Sequence, residues 1–206
     1  MMETSFWLIR HALVAEAARA VLYGVMDVPL CEIALAEQAS AYRALAARLP
    51  RPADWLVTPL SRTRRTAETL LAYGYPSVAL GVEAGLIEQS LGEWQGLPHA
   101  DLPPKLLRPA HAFWPLAGDE KPPGGESMAE VVVRVGAAME RLAEVHAGRD
   151  VVIVSHGGAI RGAIAHALGI GPDNALHISV QNLSLSRLHR SADGWRVQSV
   201  NEAPGC

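Results

Sequence analysis

The chain has 206 residues, enough for one domain with a sizeable core, and half of them are apolar, which excludes an intrinsically disordered chain. A net charge of −3 excludes the broad basic footprint of a nucleic-acid binder, while local arginines remain free to collect small anions. Cys31 and Cys206, far apart in the chain and one of them the last residue, suggest neither a disulfide framework nor a metal knuckle. The apolar run near the N-terminus is too short for a signal core or a membrane span, so the cytoplasm is the expected location.

In chain order, Ser5–Ile9 reads as a buried strand that stops abruptly at Arg10 and His11. Cys31–Leu49 is Ala-rich with apolar positions at helical spacing. Asp54–Val57 is a second strand, Arg62–Ala72 the helix behind it, and Val78–Val82 a third strand. Leu97–Gly125 breaks the rhythm: it holds seven of the fourteen prolines and has no period. A loop this long in a compact domain is usually functional or disordered, and Phe113 and Trp114 inside it favour an ordered lid. Ser127–His146 opens on Ser127-Met-Ala-Glu130, the pattern of a capping box, just after Pro122-Pro-Gly-Gly125. Val151–Val154 is a fourth strand, which delivers Ser155 and His156, and a helix runs from near Gly158 to about Gly169. Leu183–His189 and Trp195–Val200, joined by Ser-Ala-Asp-Gly, read as a hairpin. Strands alternating with helices predict a single α/β domain over residues 1–206. The expected architecture is a three-layer αβα sandwich, its sheet mostly parallel with one antiparallel edge strand.

Open α/β sheets bind ligands beyond the carboxyl ends of their strands. Arg10-His11 and Ser155-His156 occupy that position on two strands, and Arg62 lies where a third turns into its helix. If the strands are neighbours, two imidazoles and two guanidinium groups converge. Gly157 and Gly158 leave backbone amides accessible at a helix N-terminus. That set suits a phosphate dianion, because Arg makes forked, charge-assisted hydrogen bonds to phosphate oxygens. Arg64 and Arg65 read as a solvated helix face, and the remaining histidines have no comparable setting.

These residues carry a resemblance. Arg10-His11, TPLSRTRRTA (58 to 67), LIEQSLGEWQG (86 to 96), PGGES (123 to 127) and SHGG (155 to 158) resemble, in order and over nearly the whole chain, the histidine phosphatase superfamily of phosphoglycerate mutase-like proteins. The resemblance implies that His11 is the nucleophile and becomes phosphohistidine. It implies that Arg10, Arg62, His156 and Gly157 hold the phosphoryl group, and that Glu88 protonates the leaving group and later activates water. Its chemistry fits the residue types. A neutral imidazole is a competent nucleophile near pH 7, and preplaced cations stabilise a transferring phosphoryl group. No metal and no cofactor is implied.

The chain departs from the family pattern after Arg-His. Ala12 stands where Gly is usual, and Leu13, Val14 and Ala17 stand where Glu, Thr and a phosphate-holding Asn are common. A phosphate contact is therefore missing or supplied elsewhere, which favours a phosphatase over a mutase. Tyr23-Gly-Val-Met-Asp-Val-Pro-Leu30 is similar to a stretch of α-ribazole-5′-phosphate phosphatases of cobalamin assembly; a simple turn feeding the next helix is the other reading. Trp94, Phe113 and Trp114 either stack on a flat substrate base or pack as core. The expected partner is a phosphorylated small molecule, with no nucleic acid and no membrane; unpaired edge strands would permit a homodimer. The alternatives are a mutase-type phosphotransferase, a broad-specificity phosphatase, a metal hydrolase and a silent phosphate-binding module. The metal hydrolase is disfavoured because the histidines lack ligand spacing.

Overall fold

The structure is a computed structural model, and it describes residues 3–205; Cys206 lies outside them. In chain order the elements are β1 (Thr4–Arg10), α1 (Glu16–Arg19), α2 (Glu32–Glu37), α3 (Ala39–Arg48), β2 (Asp54–Val57), α4 (Ser61–Ala72) and β3 (Leu80–Val82). They continue with α5 (Met128–Val145), β4 (Asp150–Ser155), α6 (Gly157–Leu168), α7 (Pro172–Leu176), β5 (Leu185–Ser191) and β6 (Gly194–Glu202). The single sheet has the order β3-β2-β4-β1-β5-β6. β3, β2, β4 and β1 pair in parallel, whereas β5 is antiparallel to both β1 and β6. The expected antiparallel edge strand is thus a hairpin at that edge: the strand opposed to the rest is β5, one place in, and β6 forms the rim.

The alternation of side chains along each strand builds two cores. Ile9, Trp55, Val57, Val152 and Val154 face α3 and α4, against Tyr42, Leu45 and Leu70. Phe6, Leu8, Val151 and Ile153 face α5 and α6, against Val135, Met139 and Ile164. β4 is buried on both faces, which is why its sequence is a continuous apolar run.

Several elements differ from expectation for local reasons. The helix expected over Cys31–Leu49 is two helices, interrupted at Gln38 (φ −91°, ψ 18°). β3 is shorter than expected. The capping box forms in full: Ser127 Oγ accepts from the Glu130 amide, and Glu130 reaches back to the Ser127 amide. Residues 97–125 fold around a third small core of Leu22, Leu91, Trp94, Leu102 and Leu116. The base of the segment is fastened backbone to backbone. Glu93 N donates to Pro123 O (2.9 Å), Glu126 N to Ser90 O (2.8 Å). Gly92 is required there: its φ is +50°, and a Cβ on it would meet Pro123 O at 2.1 Å.

Candidate active site

β1 and β4 are adjacent, and Arg10 pairs in register with Ser155. The two strand ends therefore deliver their histidines side by side, with ring centroids 5.2 Å apart. Both rings are buried. The structure thus brings Arg10, His11, Arg62, Glu88, His156 and Gly157 to one end of the sheet.

His11 Nδ1 lies 2.7 Å from Ala12 O. A carbonyl only accepts, so Nδ1 carries the proton and Nε2 is left with a bare lone pair. That Nε2 is buried and has no partner. Burial, then the charges of Arg62 and Arg10, push the His11 pKa well below the usual imidazole value, so the ring is neutral. Ala12, the departure from Gly, keeps a negative φ, since only Leu183 and Asn201 among the described non-Gly residues have a positive one. Its amide donates to Thr66 Oγ1 (3.0 Å), and Asn182 Nδ2 donates to His11 O (2.8 Å). The nucleophile's backbone is clamped from both sides.

Arg62 is fully buried. Its Nη1 donates to Met26 O (2.7 Å), its Nη2 to Gly24 O (2.8 Å) and its Nε to His156 Nδ1 (3.3 Å). Two of its five N–H bonds remain for a ligand. Because Arg can only donate, His156 Nδ1 accepts, and its Nε2–H donates to Thr58 Oγ1 (2.8 Å). His156 is held neutral by burial, then by His11, Arg62 and Arg10. Both its nitrogens are engaged, so this ring reaches a phosphoryl oxygen only by exchanging one of those bonds. Arg10 Nη1 is anchored on Val180 O (2.6 Å), and its Nε is buried without a partner.

Glu88 lies across from these cations. Gln89 N donates to its Oε1 (2.9 Å) and Gly158 N to its Oε2 (3.3 Å). A Cβ on Gly158 would fall 2.3 Å from Oε1, so the second glycine of SHGG makes room for the carboxylate. Behind it Arg134 binds the carbonyls of Gly85 and Ile87 and the carboxylate of Glu126, fixing the loop that carries Glu88. Arg161, unremarked in the sequence, also reaches the site. Burial lowers its pKa to about 10, with Glu88 opposing the shift and Arg10 adding to it.

A cleft of about 180 Å³ opens over Arg10 and Glu88, walled by Tyr23, Leu91, Trp114 and Leu116. Of the three aromatics expected in a lid, only Trp114 lines it. Trp94 is buried in the third core, and Phe113 is 65% exposed beside His177. Thr58, Thr66, Asn182 and Arg161 escape a reading of the sequence. Buried Thr58 and Thr66 and half-buried Asn182 have no local signature, and Arg161 looks like any helical arginine until the fold turns its head inward. Among the described residues no three His, Cys, Asp or Glu side chains group as metal ligands, and no helix is long and apolar enough to cross a membrane.

Comparison with known proteins agrees with this geometry. The model of the histidine phosphatase superfamily (branch 1) matches residues 6–203. The chain belongs to the histidine phosphatase superfamily. Within it, the chain is 30% identical to a 2,3-bisphosphoglycerate-dependent phosphoglycerate mutase of Methylobacterium sp., over 79% of this chain and 80% of that one. It superposes on a mycobacterial glucosyl-3-phosphoglycerate phosphatase in complex with VO3 with a TM-score of 0.80, at 26% identity over 97% of this chain and 99% of the other. The α-ribazole phosphatase of Shigella flexneri has the same fold (TM-score 0.76, 22% identity, 96% of each chain).

Proposed function

We propose that this member of the superfamily is a metal-independent phosphomonoester hydrolase working through phospho-His11. The observation that carries the reading is the bare, buried Nε2 of His11, its other nitrogen fixed by Ala12 O and its charge suppressed by burial, then by Arg62 and Arg10. The phosphoryl group enters with its oxygens toward Arg10, Arg62 and the Gly157 amide. Nε2 attacks phosphorus, the bond to the leaving oxygen breaks, and Glu88 hands that oxygen a proton. Glu88, now a carboxylate, takes a proton from water as the water attacks phospho-His11. Phosphate leaves and both groups return to their starting states. The departures Leu13, Val14 and Ala17 favour hydrolysis over mutase chemistry. Val14 is buried and bridges to Leu30, so this segment is committed to packing rather than to holding a second phosphate.

The test uses a labelled ester, a rapid quench, and a search for a base-stable, acid-labile protein phosphate. His11→Ala is expected to abolish the label and to lower turnover by at least about three orders of magnitude. Persistence of both would end the assignment, and loss of activity on exhaustive chelation would remove its metal-independent part.

A narrower reading, α-ribazole 5′-phosphate as substrate in cobalamin biosynthesis, is favoured by the Tyr23 and Trp114 walls of the cleft, which suit a flat base. Against its specificity, the Tyr23–Leu30 stretch has a second duty. Gly24 O and Met26 O hold Arg62, and Asp27 Oδ1 accepts from the Ser61 amide (2.8 Å) and hydroxyl (2.7 Å) at the start of α4. A phosphomonoester panel containing α-ribazole 5′-phosphate, 3-phosphoglycerate and p-nitrophenyl phosphate decides. Preference for the first by orders of magnitude supports the narrow reading; comparable rates leave a broad-specificity phosphatase. Transfer to a second hydroxyl instead of water would indicate a mutase.

A further inference from the structure

Three buried nitrogens around the cleft lack a partner: His11 Nε2, Arg10 Nε and Arg161 Nη1. The first two belong to the machinery already described. Arg161 does not, yet it is only 7% exposed, and a buried guanidinium N–H without an acceptor is unfavourable unless a ligand completes it.

The way α6 is built explains how Arg161 arrives. Residue 161 lies one turn beyond Gly157 on the same helix face, and helical side chains lean toward the N-terminus. Gly157 has no side chain to block the path. A Cβ placed on it would stand 3.1 Å from Arg161 Nη1 and 3.5 Å from Arg10 Nε, so the two orphan donors flank one spot at the N-terminus of α6. Arg161 is also held in that pose. Its Nε donates to Ile178 O (2.8 Å), and its guanidinium carbon sits 4.5 Å from the centre of the Trp114 ring. Only the Nη end is free.

We propose that Arg161 Nη1 binds an oxygen of the phosphoryl group that His11 accepts, side by side with Arg10 Nε. Both donors lie within 3.5 Å of that one spot beside Gly157, where two oxygens of a single phosphoryl group could accept from them. The third guanidinium replaces the donor that Ala17 does not provide. The contact through Trp114 also couples the 97–125 segment to the anion, because the lid's aromatic ring packs on the cation that holds the phosphate. This inference rests on the hydrolase reading for its choice of ligand, but its test does not require turnover.

Inorganic phosphate and orthovanadate binding are measured by calorimetry on wild type, Arg161→Met and Arg161→Lys, together with kcat/KM for p-nitrophenyl phosphate, glycerol 3-phosphate and 3-phosphoglycerate. Arg161→Met is expected to weaken both anions about 10- to 100-fold. It should lower kcat/KM by a similar factor for all three esters, with Lys recovering part of each loss. Unchanged anion affinity in a folded variant would overturn the proposal. So would a loss confined to 3-phosphoglycerate, which would move Arg161 to the carboxylate of the leaving group. If Met at 161 prevents folding, the Lys variant alone decides, since it keeps the charge but not the Ile178-anchored fork. A wild type that binds phosphate through Arg161 yet hydrolyses none of the esters would support this contact and overturn the hydrolase reading.

Discussion

The Nδ1–H of His11 is tied to a carbonyl one residue away, and that bond leaves Nε2 as the ring's basic nitrogen. Burial and two arginines keep it unprotonated. The phosphorylation step, read in single turnovers, should therefore keep its rate on the acid side of 6.5, the ordinary imidazole pKa. An acid limb centred at or above that value would contradict the assignment of the nucleophile. Glu88 is expected to matter in proportion to the leaving group's need for a proton. Glu88→Gln should slow an alkyl phosphate by roughly 10²- to 10⁴-fold and p-nitrophenyl phosphate much less; equal losses on both would show that Glu88 is not the acid. At this scale the sequence was readable where chemistry sits at an element's end: Arg10, His11, Arg62 and His156 follow strands or open helices. It was silent on Thr58 and Asn182, whose roles arise from contacts 98 and 171 residues away in the chain.

α6 shows how one element serves several groups at once. Its first residue, Gly157, clears a path for Arg161, and its second, Gly158, clears a seat for Glu88. Ala is a better helix former than Gly, so Gly158→Ala should leave the helix intact or firmer. Its Cβ nevertheless occupies the carboxylate's place, and kcat/KM for an alkyl phosphate should fall at least tenfold. Circular dichroism and kinetics on the same sample separate the two effects; full activity in a folded variant would mean that Glu88 works from another position. The capping box of α5 was legible because its signal lies within four residues. The break at Gln38 between α2 and α3 was not, since the apolar spacing runs on through it.

For the whole molecule, two neutral buried histidines make stability depend on pH. His11 and His156 have depressed folded-state pKa values, so below about pH 6.5 the unfolded chain binds protons that the folded chain refuses. The contribution of these two rings is therefore complete above that pH and declines as pH falls through it, by up to about 1.4 kcal/mol per pH unit for each ring. Urea unfolding between pH 7 and 5 measures the slope, and a His11→Asn variant should have a shallower one. Identical slopes would mean that His11 is protonated in the folded protein.

The sequence by itself determined the parallel α/β class and the cation-rich strand ends, because both are written in short apolar runs and in the residues that interrupt them. It did not determine that β1 and β4 are neighbours, that Trp94 packs as core while Trp114 walls the cleft, or that Arg161 faces the site. Those depend on strand order and on how the 97–125 segment packs against Leu22, Leu91 and Trp94. Only the tertiary structure decides them, because side chains far apart in the chain acquire a common environment only when the cores on either side of the sheet close.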